Sequence, residues 1–79
     1  MALTQRLADV FIASLELDPA TPVDGLTYRG IPEWDSLGHM SLVAAIEDEF
    51  DVQLDTDQVI GLSSFTVATT MLKELGVDD

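Results

Sequence analysis

All three prolines of this 79-residue chain, and two of its five glycines, fall in one block, residues 18–35, DPATPVDGLTYRGIPEWD. Proline in a helix interior removes a hydrogen bond and clashes with the preceding turn, so any helices must lie on either side of this block. Before it, Leu3, Leu7, Val10, Phe11 and Leu15 recur at helical spacing. Asp18, preceding Pro19, is pushed out of the helical region, which sets a first helix at about 3–16. The block itself shows no period and reads as a long loop. It is not a flexible linker, because Leu26, Tyr28, Ile31 and Trp34 are apolar anchors; the amphipathic Trp34 is expected to be only partly buried. Loops this long in compact domains are uncommon and often functional.

After the block the helical pattern returns from Ser36 to Phe50. A short helix is expected over residues 56–61 (TDQVIG). Ser63 or Ser64 then caps a last helix that carries Phe65, Ala68, Met71, Leu72 and Leu75 on one face and stops at Gly76. The expected fold is all-α, a small four-helix bundle of three main helices and one short one, with the long loop between helices 1 and 2. The length gives one domain, residues 1–79, with a core of marginal stability.

Composition narrows the function. Hydrophobic residues make up 47%, too many for a disordered tail. With no cysteine, disulfides, thiolate catalysis and zinc–thiolate sites are excluded, and a single His rules out a His-rich metal site. Three basic residues stand against fifteen acids, a net charge of −12. Nucleic acid and anionic membranes repel such a surface, so its partners present positive patches. No apolar stretch is long enough to span a bilayer and no signal-peptide core is visible, which gives a cytoplasmic expectation.

The helix that opens at Ser36 has two faces. At about 100° per residue, His39, Leu42, Val43, Ile46 and Phe50 share the core arc. Leu37, Met40, Ser41, Ala44, Glu47 and Asp48 share the opposite arc, with Ser36 at the boundary. Apolar groups rimmed by acids form a mixed surface suited to partner docking; scattered exposed apolar residues are also ordinary. Acids at a helix C-terminus oppose the dipole, which adds to the docking reading. Ser36 stands where free N–H groups and the dipole favour an anion. A Ser there is usually an N-cap, but Asp35 can cap the helix and leave the Ser36 hydroxyl free.

Asp35-Ser36-Leu37 after a long loop, then Leu42-Val43-Ala44-Ala45-Ile46-Glu47-Asp48-Glu49-Phe50, resembles the acyl carrier protein family over nearly the full length. The resemblance implies that a phosphopantetheinyl transferase moves 4′-phosphopantetheine from coenzyme A onto Ser36, with Asp35 assisting its magnesium-dependent reaction. The chain would itself be non-catalytic: a monomeric carrier that presents a thioester-bound acyl or aminoacyl group to loading and processing enzymes with basic docking patches. Leu37, Met40, Ser41, Ala44, Glu47 and Asp48 would form the docking face. Gly38 and Ser41 stand where acids are frequent in the fatty-acid-synthesis pattern, and Pro32-Glu33-Trp34 replaces a Leu-Gly stretch. These departures resemble stand-alone carriers of specialised pathways. Gly38 also weakens the first helical turn by about 1 kcal/mol relative to Ala.

Other readings fare differently. Ser36 and His39 are close enough on a helix for nucleophilic chemistry, but no glycine elbow surrounds Ser36, and a His satisfied by a hydrogen bond in the core is the simpler expectation. A calcium loop at Asp55-Thr56-Asp57 would need Gly and Glu where Ile60 and Thr66 stand. The serious alternative is an acidic helical interaction module, never modified, in which Ser36 is only a cap.

Overall fold

The computed structural model describes residues 3–77; Met1–Ala2 and Asp78–Asp79, the ends of the expected 1–79 domain, lie outside the described residues. The chain is all-α. Helix α1 spans Leu3–Leu15, α2 Ser36–Phe50, α3 Thr56–Gly61 and α4 Phe65–Glu74. The loop between α1 and α2 contains a single 3-10 turn, Val23–Gly25, which the sequence pattern did not disclose.

Helix α1 buries the expected stripe of Leu3, Leu7, Val10, Phe11 and Leu15, and packs chiefly on α2. Full burial of such a side chain stabilises the fold by roughly 1.5–3 kcal/mol. From α2 come Leu42, Val43, Ile46 and Phe50; from α4 come Phe65, Ala68 and Leu72; Leu62 closes the gap between α3 and α4. Phe11 sits at the centre, edge-to-face with both Trp34 and Phe65 at centroid distances of 5.2 Å. Helix α3 buries no residue of its own. A capping box, with Gln58 N–H donating to Asp55 Oδ1 and Asp55 N–H to Gln58 Oε1, organises its first turn. Ser64 caps α4 through the Val67 N–H. Gly76, at φ 92°, ends that helix, as the Val77 N–H reaches back to the Leu72 carbonyl. Leu75, expected on the inner face, is instead exposed, because it falls on the C-cap where the chain turns away.

The long loop is ordered by its backbone as well as its anchors. The Tyr28 N–H donates to the Ser63 carbonyl and the Phe65 N–H to the Leu26 carbonyl, so the loop is stitched to the entrance of α4. The Arg29 N–H donates to the Trp34 carbonyl at 2.9 Å, and the Trp34 N–H to the Ile31 carbonyl at 3.1 Å. Val23, Leu26 and Trp34 are buried while Tyr28 and Ile31 are half-buried. Trp34 is completely buried, not partly as expected. Its one polar atom has found a partner inside the protein, so no part of the ring has to face water.

Gly38 has a packing role that propensity conceals. A Cβ there would overlap the Glu33 carbonyl oxygen and come within 3.0 Å of Leu15 Cδ2. The first turn of α2 crosses the loop backbone so closely that only glycine fits. Gly38→Ala therefore opposes two effects: a helix-propensity gain of about 1 kcal/mol and an overpacking cost of about 1–3 kcal/mol. Because the obstacle is backbone, the second should win. Urea denaturation should show Gly38→Ala less stable than the parent; a raised midpoint would mean that the loop does not lie against α2 in this way.

Candidate functional site: the Ser36 hydroxyl and its surroundings

Asp35 caps α2: its Oδ1 accepts from the Gly38 N–H at 2.9 Å. Ser36 is the first helical residue, exposed, and its hydroxyl is not used for capping. Instead Ser36 Oγ lies 3.2 Å from the Tyr28 hydroxyl, and Arg29 Nη2 donates to the same oxygen at 3.2 Å. The guanidinium also stands over the Tyr28 ring, 5.4 Å from its centroid. Neither loop residue is a polar partner in the sequence pattern, where Tyr28 is only an apolar anchor. The available signal was Arg29 itself, one of three bases in a chain of fifteen acids, placed seven residues before the Ser.

The loop that holds them is fixed from three sides. Tyr28 is tied to Ser63, Arg29 to the Trp34 carbonyl, and the Gly30 N–H to the Thr27 carbonyl at 2.9 Å. Arg29 takes the left-handed conformation, φ 64°, which non-glycine residues adopt only where the surroundings impose it. Behind the site, the Trp34 Nε1–H donates to His39 Nδ1 at 3.0 Å. His39 Nε2 lies 2.8 Å from the Val59 carbonyl, which can only accept. The ring is therefore the Nε2–H tautomer, with Nδ1 as acceptor. His39 is half-buried rather than fully inside the core arc, since it spans from Trp34 to α3 and both its nitrogens are engaged there. The Trp34 and His39 rings are stacked, 16° between planes, and Tyr28 meets both edge-on.

The outer face of α2 is largely as expected. Leu37 and Met40 are 81% and 63% exposed, and Ser41, Ala44 and Asp48 are exposed. Glu47 differs from the rest of the expected docking face in its surroundings. It is half-buried and its Oε2 accepts from the Leu54 N–H at 2.8 Å, tying the 51–54 segment to α2. Its acid at the helix C-terminus is explained by that bond, and Asp48 is the cleaner probe of docking. Glu49 is likewise engaged, paired with Arg6 at 3.1 Å. Ile60 on α3, 75% exposed, is an apolar group the sequence reading left out. It lines a cavity of about 250 Å³ with Tyr28, His39, Val59, Leu62 and Ser63. Among the described residues, no group of three or more His, Cys, Asp or Glu could hold a metal ion. No described helix is long and apolar enough to cross a membrane.

Comparison with protein families, with curated proteins and with solved structures finds no match to this chain. What can be said of the site therefore rests on its own residues.

The Tyr28 phenol is held below its ordinary value of 10, chiefly by the Ser36 hydrogen bond and next by Arg29, both of which favour the phenolate; desolvation opposes them. Tyr28 is the chain's single tyrosine, so ultraviolet titration reads it directly. It should ionise at lower pH in the parent protein than in Ser36→Ala or Arg29→Gln. Identical titration curves in all three would show that the cluster does not form in solution.

Proposed function

We propose that the chain is a carrier protein that bears 4′-phosphopantetheine on Ser36 and passes an acyl or aminoacyl group between biosynthetic enzymes. The observation that carries this reading is the division of labour at the start of α2. Asp35 takes the cap, so the Ser36 hydroxyl stands exposed on a rigid helix end, free to be esterified. The residues fit a phosphodiester there: two hydrogen-bonding side chains, one of them cationic, already converge on Ser36 Oγ.

In loading, the Ser36 hydroxyl gives up its proton and forms an O–P bond, while the pyrophosphate bond of coenzyme A breaks and its adenosine bisphosphate part leaves. The cap bond uses one Asp35 carboxylate oxygen, and the second would remain to assist a magnesium ion brought by the transferase. When bound, the arm supplies a terminal thiol, which this cysteine-free chain otherwise lacks. Leu37, Met40, Ser41, Ala44 and Asp48 present an apolar strip edged by acid to the transferase and to loading and processing enzymes with basic patches. On this reading the protein acts as a cytoplasmic monomer and is not itself an enzyme.

Intact mass after incubation with coenzyme A and a broad-specificity phosphopantetheinyl transferase tests the reading. The parent protein should gain the mass of one arm, and Ser36→Ala, folded by circular dichroism, should gain none. An unmodified parent would leave an acidic interaction module as the function. A modified Ser36→Ala would move the site elsewhere.

A further inference from the structure

Three cationic side chains serve this chain of fifteen acids, and their placement is informative. Arg6 is committed to Glu49: it pairs with the carboxylate, donates to the Glu49 carbonyl and covers the Phe50 ring. Lys73 lies in the last turn of α4, where a cation complements the helix dipole. Arg29 has no carboxylate within ion-pair distance among the described residues. Its guanidinium, with five donors in a planar fork, is aimed at a neutral hydroxyl oxygen that can use only a fraction of them.

Such a fork matches a phosphate better than a hydroxyl. Esterification of Ser36 removes the Oγ proton and makes Oγ a weaker acceptor. At the same time it sets beside it two non-bridging oxygens that share one negative charge. The Tyr28 hydroxyl and the Arg29 guanidinium are donors already positioned at that spot, by a backbone turn whose hydrogen bonds to Ser63 and Trp34 fix them. Arg29 itself holds a left-handed backbone, φ 64°, within that turn. A new negative charge on a chain of net −12, one residue from Asp35, adds repulsion that the helix N-terminus alone offsets only in part.

We propose that Arg29 and Tyr28 form a clamp on the phosphodiester at Ser36 and hold the root of the arm against the 27–30 turn, an inference that rests on the carrier reading above. Both act as positioning residues. Arg29 offsets the charge, and Tyr28 adds a neutral donor on the side of the Trp34–His39 stack.

The test uses the full-length protein loaded from coenzyme A, as parent, Arg29→Gln, Arg29→Lys and Tyr28→Phe, with loading confirmed by intact mass. In the parent, the Arg29 side-chain N–H resonances should move on loading while those of Arg6 stay in place. The ³¹P resonance of the loaded Arg29→Gln protein should be displaced from that of the parent, with Arg29→Lys and Tyr28→Phe between them. Loading should lower the melting temperature of Arg29→Gln relative to its effect on the parent by about 2–4 °C, as expected for an exposed pair in a domain of this size. If no protein gains mass, the carrier reading fails and the clamp with it. If all gain mass but the Arg29 resonances of the parent are unmoved and the ³¹P resonance is the same in every variant, the clamp is wrong and the carrier reading stands. The parent measurement does not depend on any variant folding.

Discussion

The hydrogen bond from the Trp34 indole to His39 Nδ1 is the link on which the rest of the site depends. A fully buried Trp must place its N–H on an acceptor or lose the free energy of an unmade bond, of the order of 1–3 kcal/mol. His39 supplies the acceptor. Doing so fixes its tautomer, which in turn aims Nε2–H at the Val59 carbonyl. One chain of two hydrogen bonds thus joins the long loop to α2, and α2 to α3. That matters most for α3, which fully buries no side chain of its own and is otherwise held by its capping box, the half-buried Val59 and Leu62. It matters also for Ser36, since Trp34 sets the position of the two residues that follow it.

With Trp34 seated, the loop and the helix constrain one another. The Glu33 carbonyl approaches α2 so closely that position 38 admits only glycine, and the Trp34 carbonyl holds the Arg29 amide. Arg29 and Tyr28 thereby reach the same oxygen that Asp35, by capping, has left unoccupied. The charge of the molecule follows a similar division. Glu47 and Glu49 are engaged in closing the end of α2 and in joining it to α1, whereas Asp48 stays exposed on the face that carries Leu37 and Met40. The unengaged acidic surface is therefore narrower than the count of acids suggests.

Much of this was legible in the sequence where the cause is local. Helical spacing and the proline block placed the three main helices, and the order Asp-Ser allowed a cap before a free hydroxyl, because capping depends on residues within one turn. The rest depends on contacts between segments. The complete burial of Trp34 needs a His five residues on and a carbonyl on α3. The packing role of Gly38 needs Glu33 and Leu15 in place, so propensity alone showed only one of its two opposing effects. The bond of Glu47 to the Leu54 N–H needs the 51–54 segment folded back onto α2, which spacing along one helix does not show. Tyr28 was visible as an apolar anchor, but its hydroxyl gained meaning only when the 27–30 turn faced Ser36.

The account makes the ordered loop, held by Trp34 and His39, the foundation of the site. Hydrogen exchange of the single indole N–H, followed by NMR, tests this most directly. The account predicts exchange as slow as that of the α1 and α2 core amides, and fast exchange in His39→Ala under conditions where the helices persist. An indole N–H that exchanges at the rate of free tryptophan while the core amides remain protected would contradict it.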